Sequence, residues 1–141
     1  MEFCEEGTLV DLISRNEMKL SEEQIIQAFK DICSGVRHMH EQDPPIAHRD
    51  LKIENVMCQN GIFKLGDFGS CSSDTLDYTK SSKSEISDKM EMFEKYTTLM
   101  YRPPEMIDQY LKYPVNTQSD IWMLGCILYT MCFAKHPFFE A

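Results

Sequence analysis

The 141-residue sequence is short of positive charge and of long apolar runs. Its 23 acidic and 14 basic side chains give a formal net charge of −9. Because DNA, RNA and anionic membranes attract basic faces, this charge argues against all three as partners. The longest uncharged run covers residues 121–134, which is too short to span a bilayer and suits a buried helix. We therefore expect no nucleic-acid binding and no direct insertion into a membrane.

The sequence also lacks cysteines at metal-binding spacing. None of its six cysteines forms a Cys-x-x-Cys pair, and no histidine lies at zinc-finger spacing. The N-terminus shows no secretory signal, so we expect reduced thiols in a cytosolic protein, with a disulfide framework as the alternative. The apolar share of 43% and the charged share of 26% are ordinary for globular domains, which excludes collagen-like, mucin-like and wholly disordered chains.

Cap and breaker residues mark two helices in the first third of the chain. Thr8 can cap a short helix with a narrow apolar side. Ser21 and Gln24 form a capping box before a longer stripe of apolar residues at steps of three and four. This second helix should end near His40, because the following Pro44-Pro45 pair cannot continue it.

The remaining chain carries a hairpin signal, a polar stretch and two more helix signals. Asn60-Gly61 between two short apolar pieces predicts a β-hairpin. Residues 70–95 are polar without a steady apolar period and are interpreted as a long mobile loop. Pro103-Pro104-Glu105 should start a short helix, and Thr117-x-x-Asp120 should cap a last helix over residues 119–133.

One stretch carries side chains suited to phosphate chemistry: His48-Arg49-Asp50-Leu51-Lys52-Ile53-Glu54-Asn55, followed beyond the hairpin by Asp67-Phe68-Gly69. Asp50 can accept a proton or orient a hydroxyl, and Lys52 lies on the same side of an extended loop, where it can neutralise a phosphoryl group. Asn55 and Asp67 offer the hard oxygen ligands that Mg²⁺ prefers. The alternative is that the aspartates are ordinary surface carboxylates.

These motifs resemble the signature set of the eukaryotic protein kinases. Pro103-Pro104-Glu105 resembles the Ala-Pro-Glu that closes the kinase activation segment, and residues 120–125 resemble the start of the buried central helix. The resemblance implies a mainly α fold with a small β-hairpin sheet, like the large (C-terminal) lobe of a kinase, with the small lobe and the last helices missing. It divides a partial kinase domain over residues 1–141 into an inter-lobe linker (1–7), helices, catalytic loop and hairpin (8–66), an activation segment (67–105) and a central-helix region (106–141).

The resemblance implies a role for each matching residue of the catalytic machinery. Asp50 would be the catalytic base, and Lys52 would contact the γ-phosphate of ATP. Asn55 and Asp67 would hold Mg²⁺. Thr98 would bridge Asp50 and Lys52.

The resemblance also implies an adenine site and a structural anchor. The Glu2 carbonyl and the Cys4 amide would bond adenine, Met57 would lie beneath it, and Met1 would gate the back of the pocket. Asp120 would bond the backbone of the catalytic loop near its histidine and arginine, and that histidine would tie the loop to Asp-Phe-Gly.

Two features narrow the resemblance to a kinase class and subfamily. Lys52 in the catalytic loop is typical of the serine/threonine class. Residues 94–102 and 133–139 resemble the Numb-associated kinases, which are cytoplasmic enzymes acting on clathrin adaptors and vesicle traffic. The expected partners are therefore ATP, proteins with serine or threonine hydroxyls, and clathrin-adaptor or vesicle-traffic proteins.

The sequence lacks the family motifs that would bind the α- and β-phosphates of ATP. It contains no Gly-rich loop, no Val-Ala-x-Lys strand and no helix with the glutamate that pairs with that lysine. We therefore expect a fragment that is unstable or aggregation-prone alone, and inactive or nearly so, because the α- and β-phosphates lose their clamp. Two interpretations stay open: a large-lobe piece of an active serine/threonine kinase, or a truncated, catalytically dead module that acts as an interaction or scaffold element.

Overall fold

The computed structural model describes residues 2–139, so the predicted role of Met1 lies outside the described residues. This part of the chain is mainly helical with a two-stranded antiparallel sheet, which confirms the predicted fold class. The helices are α1 (Leu9–Arg15), α2 (Glu22–His40), α3 (Lys83–Tyr96), α4 (Pro104–Ile107) and α5 (Gln118–Phe133), and the strands are β1 (Val56–Gln59) and β2 (Ile62–Leu65).

The first two helices begin at the predicted caps. The Thr8 amide and hydroxyl both donate to the Asp11 carboxylate, at 2.7 and 3.1 Å. Ser21 Oγ accepts from the Gln24 amide at 3.2 Å, while the Gln24 side chain accepts from the Ser21 amide at 2.9 Å. Helix α2 ends at His40, as its flanking prolines predicted. It packs against both β2 and α5, so the core lies between the hairpin and the last helix.

The hairpin has the register that its sequence predicted. Val56 pairs with Leu65 and Gln59 pairs with Ile62, which leaves Asn60 and Gly61 as a two-residue turn. Both turn residues have positive φ, 53° and 72°, as a type I′ turn requires. The hairpin returns the chain so that β2 leads directly toward Asp67.

Gly61→Ala should lower the free energy of unfolding by about 1 kcal/mol, because alanine resists the positive φ that glycine adopts freely. An added Cβ meets no atom within 4 Å there, so backbone strain is the whole effect. The matched control is Gly125→Ala on the exposed side of α5, where a Cβ also meets nothing and helix propensity favours alanine. Denaturant unfolding of the purified proteins should give a lower free energy of unfolding for Gly61→Ala and a higher one for Gly125→Ala. A change of the same sign in both variants would contradict the turn assignment.

The prediction of a mobile loop over residues 70–95 is wrong, because α3 covers Lys83–Tyr96. A capping box starts this helix: Ser82 Oγ accepts from the Glu85 amide at 3.2 Å, and the Glu85 carboxylate accepts from the Ser82 amide at 2.7 Å. The Ser-x-x-Glu signal was present in the sequence. The apolar period was weak because Phe93 is the buried side chain of this helix.

The predicted cap of the last helix is also wrong in detail. Thr117 already has helical angles (φ −59°, ψ −21°) and its side chain caps nothing. Asn116 instead accepts from the Gln118 amide through its side-chain oxygen at 2.8 Å. Asp120 is fully buried inside the helix, so it does not serve as a surface cap.

Two further expectations concern membranes and disulfides. Within residues 2–139, no helix combines the length and apolarity needed to cross a bilayer. All six cysteines lie in this range and are free thiols, so the disulfide framework is not adopted.

Candidate active site

Charged side chains from three separate segments line one cleft of about 370 Å³. Asp50 and Lys52 come from the loop after α2, and Asp67 comes from the turn after β2. Lys95 near the end of α3 and Thr98 just after it complete the wall. The fold therefore brings together four of the predicted site residues from segments up to 48 positions apart in the sequence.

A continuous hydrogen-bonded set joins Asp50, Lys52 and Thr98. The Thr98 hydroxyl donates to Asp50 Oδ1 at 2.8 Å and accepts from Lys52 Nζ at 2.9 Å. Lys52 Nζ also lies 3.7 Å from Asp50 Oδ2. The threonine thus sits between the two charges in the way that the family resemblance implied, and it holds both side chains toward the cleft.

Asn55 is fixed against Asp50 in a way that leaves one amide oxygen available. Its Nδ2 donates to the Asp50 backbone oxygen at 2.8 Å and to Asp50 Oδ2 at 3.3 Å. Since both bonds use the amide nitrogen, Asn55 Oδ1 is left as an acceptor, and no side-chain hydrogen bond between described residues engages it.

Asp67 adopts a left-handed backbone conformation (φ 53°) at the start of a turn of 3₁₀ helix over Phe68–Ser70. Its Oδ1 accepts from the Gly69 amide at 3.4 Å, a long bond that leaves most of the carboxylate free. In the part of the chain that is described, no three His, Cys, Asp or Glu side chains cluster as a metal site. Asp67 lines the cleft and Asn55 contacts Asp50 at its edge, and both offer the hard oxygens that Mg²⁺ prefers as ligands.

Asp120 anchors the loop that carries Asp50 from the buried start of α5. Its Oδ2 accepts from the His48 amide at 2.8 Å and its Oδ1 accepts from the Arg49 amide at 2.9 Å, as the resemblance implied. His40 Nε2 also lies 2.7 Å from Asp120 Oδ2. The two partners lie 80 positions apart in the sequence, so no local signal predicted this contact.

His48 ties its loop to the residue before Asp-Phe-Gly through one ring nitrogen, while the other ring nitrogen bonds within the loop. Nδ1 lies 3.2 Å from the Asp50 amide, and Nε2 lies 2.9 Å from the Gly66 carbonyl oxygen. An amide can only donate and a carbonyl can only accept, so both bonds require a neutral ring protonated at Nε2. The ring also packs against Phe68, with centroids 5.6 Å apart. His48 is thus a structural histidine in this geometry.

Arg49 is buried beside the cleft and was assigned no side-chain role from the sequence. Its guanidinium lies 5.6 Å from the centre of the Phe93 ring on α3 and donates to the Asp74 carbonyl. Burial lowers the pKa of Arg49, with the charge of the Asp74 carboxylate opposing the shift. The arginine thus connects the loop that carries Asp50 to helix α3.

The predicted adenine contacts lie on an extended segment before α1. Residues 2–4 have no regular secondary structure, and within residues 2–139 no hydrogen bond engages the Glu2 carbonyl or the Cys4 amide. The Glu2 carboxylate instead accepts from Lys64 Nζ at 2.7 and 2.9 Å. Met57 is half-buried in β1, and its methyl group lies against Gly66, immediately before Asp67.

Comparison with known proteins gives the chain a consistent set of relatives. The family described as protein kinase domain matches residues 1–141. Two "probable serine/threonine-protein kinases" of Dictyostelium discoideum are 44% and 41% identical, each over 98% of this chain. Actin-regulating kinase 1 of Saccharomyces cerevisiae is 41% identical, also over 98% of this chain. The chain spans 17%, 12% and 22% of the length of these three relatives, respectively.

Proposed function

The chain belongs to the protein kinase domain family, and we propose that it transfers the γ-phosphoryl group of ATP to serine or threonine hydroxyls of proteins. The observation that carries this proposal is the hydrogen-bonded set of Asp50, Thr98 and Lys52 in the same cleft as Asp67. The relatives named as serine/threonine kinases support the substrate class.

Each residue of the set has a role that its geometry supports. Asp50 faces the cleft with its carboxylate held by Thr98, so it can orient a substrate hydroxyl and accept its proton. Lys52 places a positive charge 3.7 Å from that carboxylate, where it can stabilise the phosphoryl group during transfer. Thr98 fixes the spacing between the two.

Two further groups of residues would hold the nucleotide and its metal ion. Asn55 and Asp67 would bind Mg²⁺ through the amide and carboxylate oxygens. The bound ion would offset the negative charge of the phosphates. The Glu2 carbonyl, the Cys4 amide and the side chain of Met57 would contact adenine.

The finer assignments rest on the sequence. We propose the division into linker, catalytic loop, activation segment and central helix given above, and membership of the Numb-associated kinases from residues 94–102 and 133–139. A cytoplasmic kinase that acts on clathrin-adaptor or vesicle-traffic proteins follows from that membership. We also propose that residues 1–141 alone transfer little or no phosphate, because these residues contain no Gly-rich loop and no partner lysine.

Asp67→Asn should lower Mg²⁺-dependent phosphotransfer about 10²–10³-fold, because an amide binds the ion more weakly than a carboxylate. The assay measures transfer from ATP to serine, threonine and tyrosine peptides by the protein expressed from its native transcript, with residues 1–141 measured in parallel. Asp88→Asn is the matched control, since this exposed residue on α3 lies outside the cleft.

The results separate the candidate functions. The proposal is supported if the wild-type protein and Asp88→Asn transfer phosphate to serine and threonine peptides and Asp67→Asn does not. Equal transfer by wild type and Asp67→Asn would overturn the metal assignment. A native protein that binds no nucleotide and transfers no phosphate would overturn the kinase proposal and favour the catalytically dead module.

A further inference from the structure

The end of helix α3 is joined to the Asp67 turn by a side-chain hydrogen bond. The Ser70 hydroxyl donates to the backbone oxygen of Tyr96, the last residue of α3. Ser70 is the last residue of the 3₁₀ turn that begins immediately after Asp67. The bond therefore connects the turn that carries Asp67 with the helix that precedes Thr98.

Other residues cap the same helix end independently of Ser70. The Phe93 carbonyl accepts from the Thr97 amide at 3.1 Å, and the Thr97 hydroxyl donates to it as well. Arg102 Nη2 donates to the Glu94 and Thr97 carbonyls, both at 3.0 Å. The carbonyls at the end of a helix normally need such partners, because the helix itself supplies none. Helix α3 therefore stays capped when the Ser70 hydroxyl is removed.

The hydrogen bond between Ser70 and Tyr96 joins the two sides of the cleft. On one wall, Thr98 bonds Asp50 and Lys52, and it lies two residues after Tyr96. On the other wall, Asp67 lies three residues before Ser70. The distance between the two acidic groups thus depends on how the turn docks on the helix end.

We propose that Ser70 is a positioning residue, which docks the Asp67 turn on the end of α3 and so sets the placement of Asp67 relative to the Asp50–Thr98 pair. This inference rests on the proposed kinase function. It assigns Ser70 no contact with substrate or metal. Since Arg102 and Thr97 keep α3 capped, losing the hydroxyl should disturb the Asp67 side of the cleft more than the Asp50 side.

The test compares Ser70→Ala with Ser70→Thr, which keeps a hydroxyl, and with Ser73→Ala, which removes a hydroxyl from an exposed neighbour. One readout is the Mg²⁺ concentration for half-maximal phosphotransfer. A second readout is backbone amide exchange over residues 67–71 and 94–98, which requires no activity. Ser70→Ala should raise the Mg²⁺ requirement about fivefold, leave the KM for the protein substrate near wild type, and speed exchange in both segments. Ser70→Thr and Ser73→Ala should behave like wild type.

Several results would overturn the inference. One is a Ser70→Ala variant whose Mg²⁺ requirement and amide exchange both match wild type. Another is a variant with a lower kcat but the wild-type Mg²⁺ requirement, because that result indicates a general structural effect. If Ser70→Ala does not fold, Ser70→Cys, whose thiol is a weaker donor, is measured in the same way. If the wild-type protein transfers no phosphate, the kinase proposal fails; the amide exchange then still decides whether Ser70 docks the two segments.

Discussion

Asp50→Asn is expected to lower kcat for phosphotransfer by about 10²–10⁴-fold, the range that loss of a positioned general base produces. In the wild-type structure the Thr98 hydroxyl donates to Asp50 Oδ1 at 2.8 Å. Asparagine has nearly the shape of aspartate, and its side-chain oxygen can still accept this hydrogen bond. The variant removes the negative charge and the second carboxylate oxygen. Lys52 then has no opposite charge 3.7 Å away, while the substrate hydroxyl loses the group that orients it.

The measurement is steady-state phosphotransfer by the protein expressed from its native transcript, with Asp88→Asn as the charge-matched control. The KM for ATP should change little, because the role proposed for Asp50 is toward the substrate hydroxyl and the variant leaves Asp67 and Lys52 unchanged. The free energy of unfolding should also stay close to that of wild type, since the hydrogen bond from Asn55 Nδ2 to the Asp50 backbone oxygen remains. A kcat within tenfold of wild type would show that Asp50 is not the base.

Local signals in the sequence were sufficient to predict the hairpin and the first two helices. The Ser21–Gln24 box and the Asn60-Gly61 turn each act over a few residues, so their outcome depends little on the rest of the fold. Asp50 and Lys52 are near neighbours, and their common direction follows from the loop itself. Such short-range features can be interpreted without knowing the tertiary structure.

The missed features depend on contacts between distant segments. Helix α3 has a local start signal, but its packing depends on Phe93 meeting Arg49, a residue 44 positions earlier in the chain. The pair of His40 with Asp120 and the bond from Ser70 to Tyr96 likewise join residues far apart in sequence. A single sequence gives residue types and spacings but no such pairings, and these pairings define how the site is held.

Asp120→Ala should cost about 3–5 kcal/mol of stability and should also remove phosphotransfer. The carboxylate is fully buried and accepts from the His48 and Arg49 amides. Alanine leaves both amides without a partner, at about 1–3 kcal/mol each, and opens a cavity at the start of α5. Asp120→Asn, which keeps one acceptor oxygen, should fall between wild type and alanine in both stability and activity.

Ile127→Ala is the control that separates a loss of stability from a loss of function. Ile127 is fully buried in the same helix, and its truncation should cost about 2–5 kcal/mol through a cavity alone. Phosphotransfer is measured at a temperature at which denaturant unfolding shows each variant to be folded. Ile127→Ala should then retain activity while Asp120→Ala does not, because the catalytic loop loses its backbone anchor only in the latter. Equal activity in the two variants would mean that Asp120 supports the fold without holding the loop that carries Asp50.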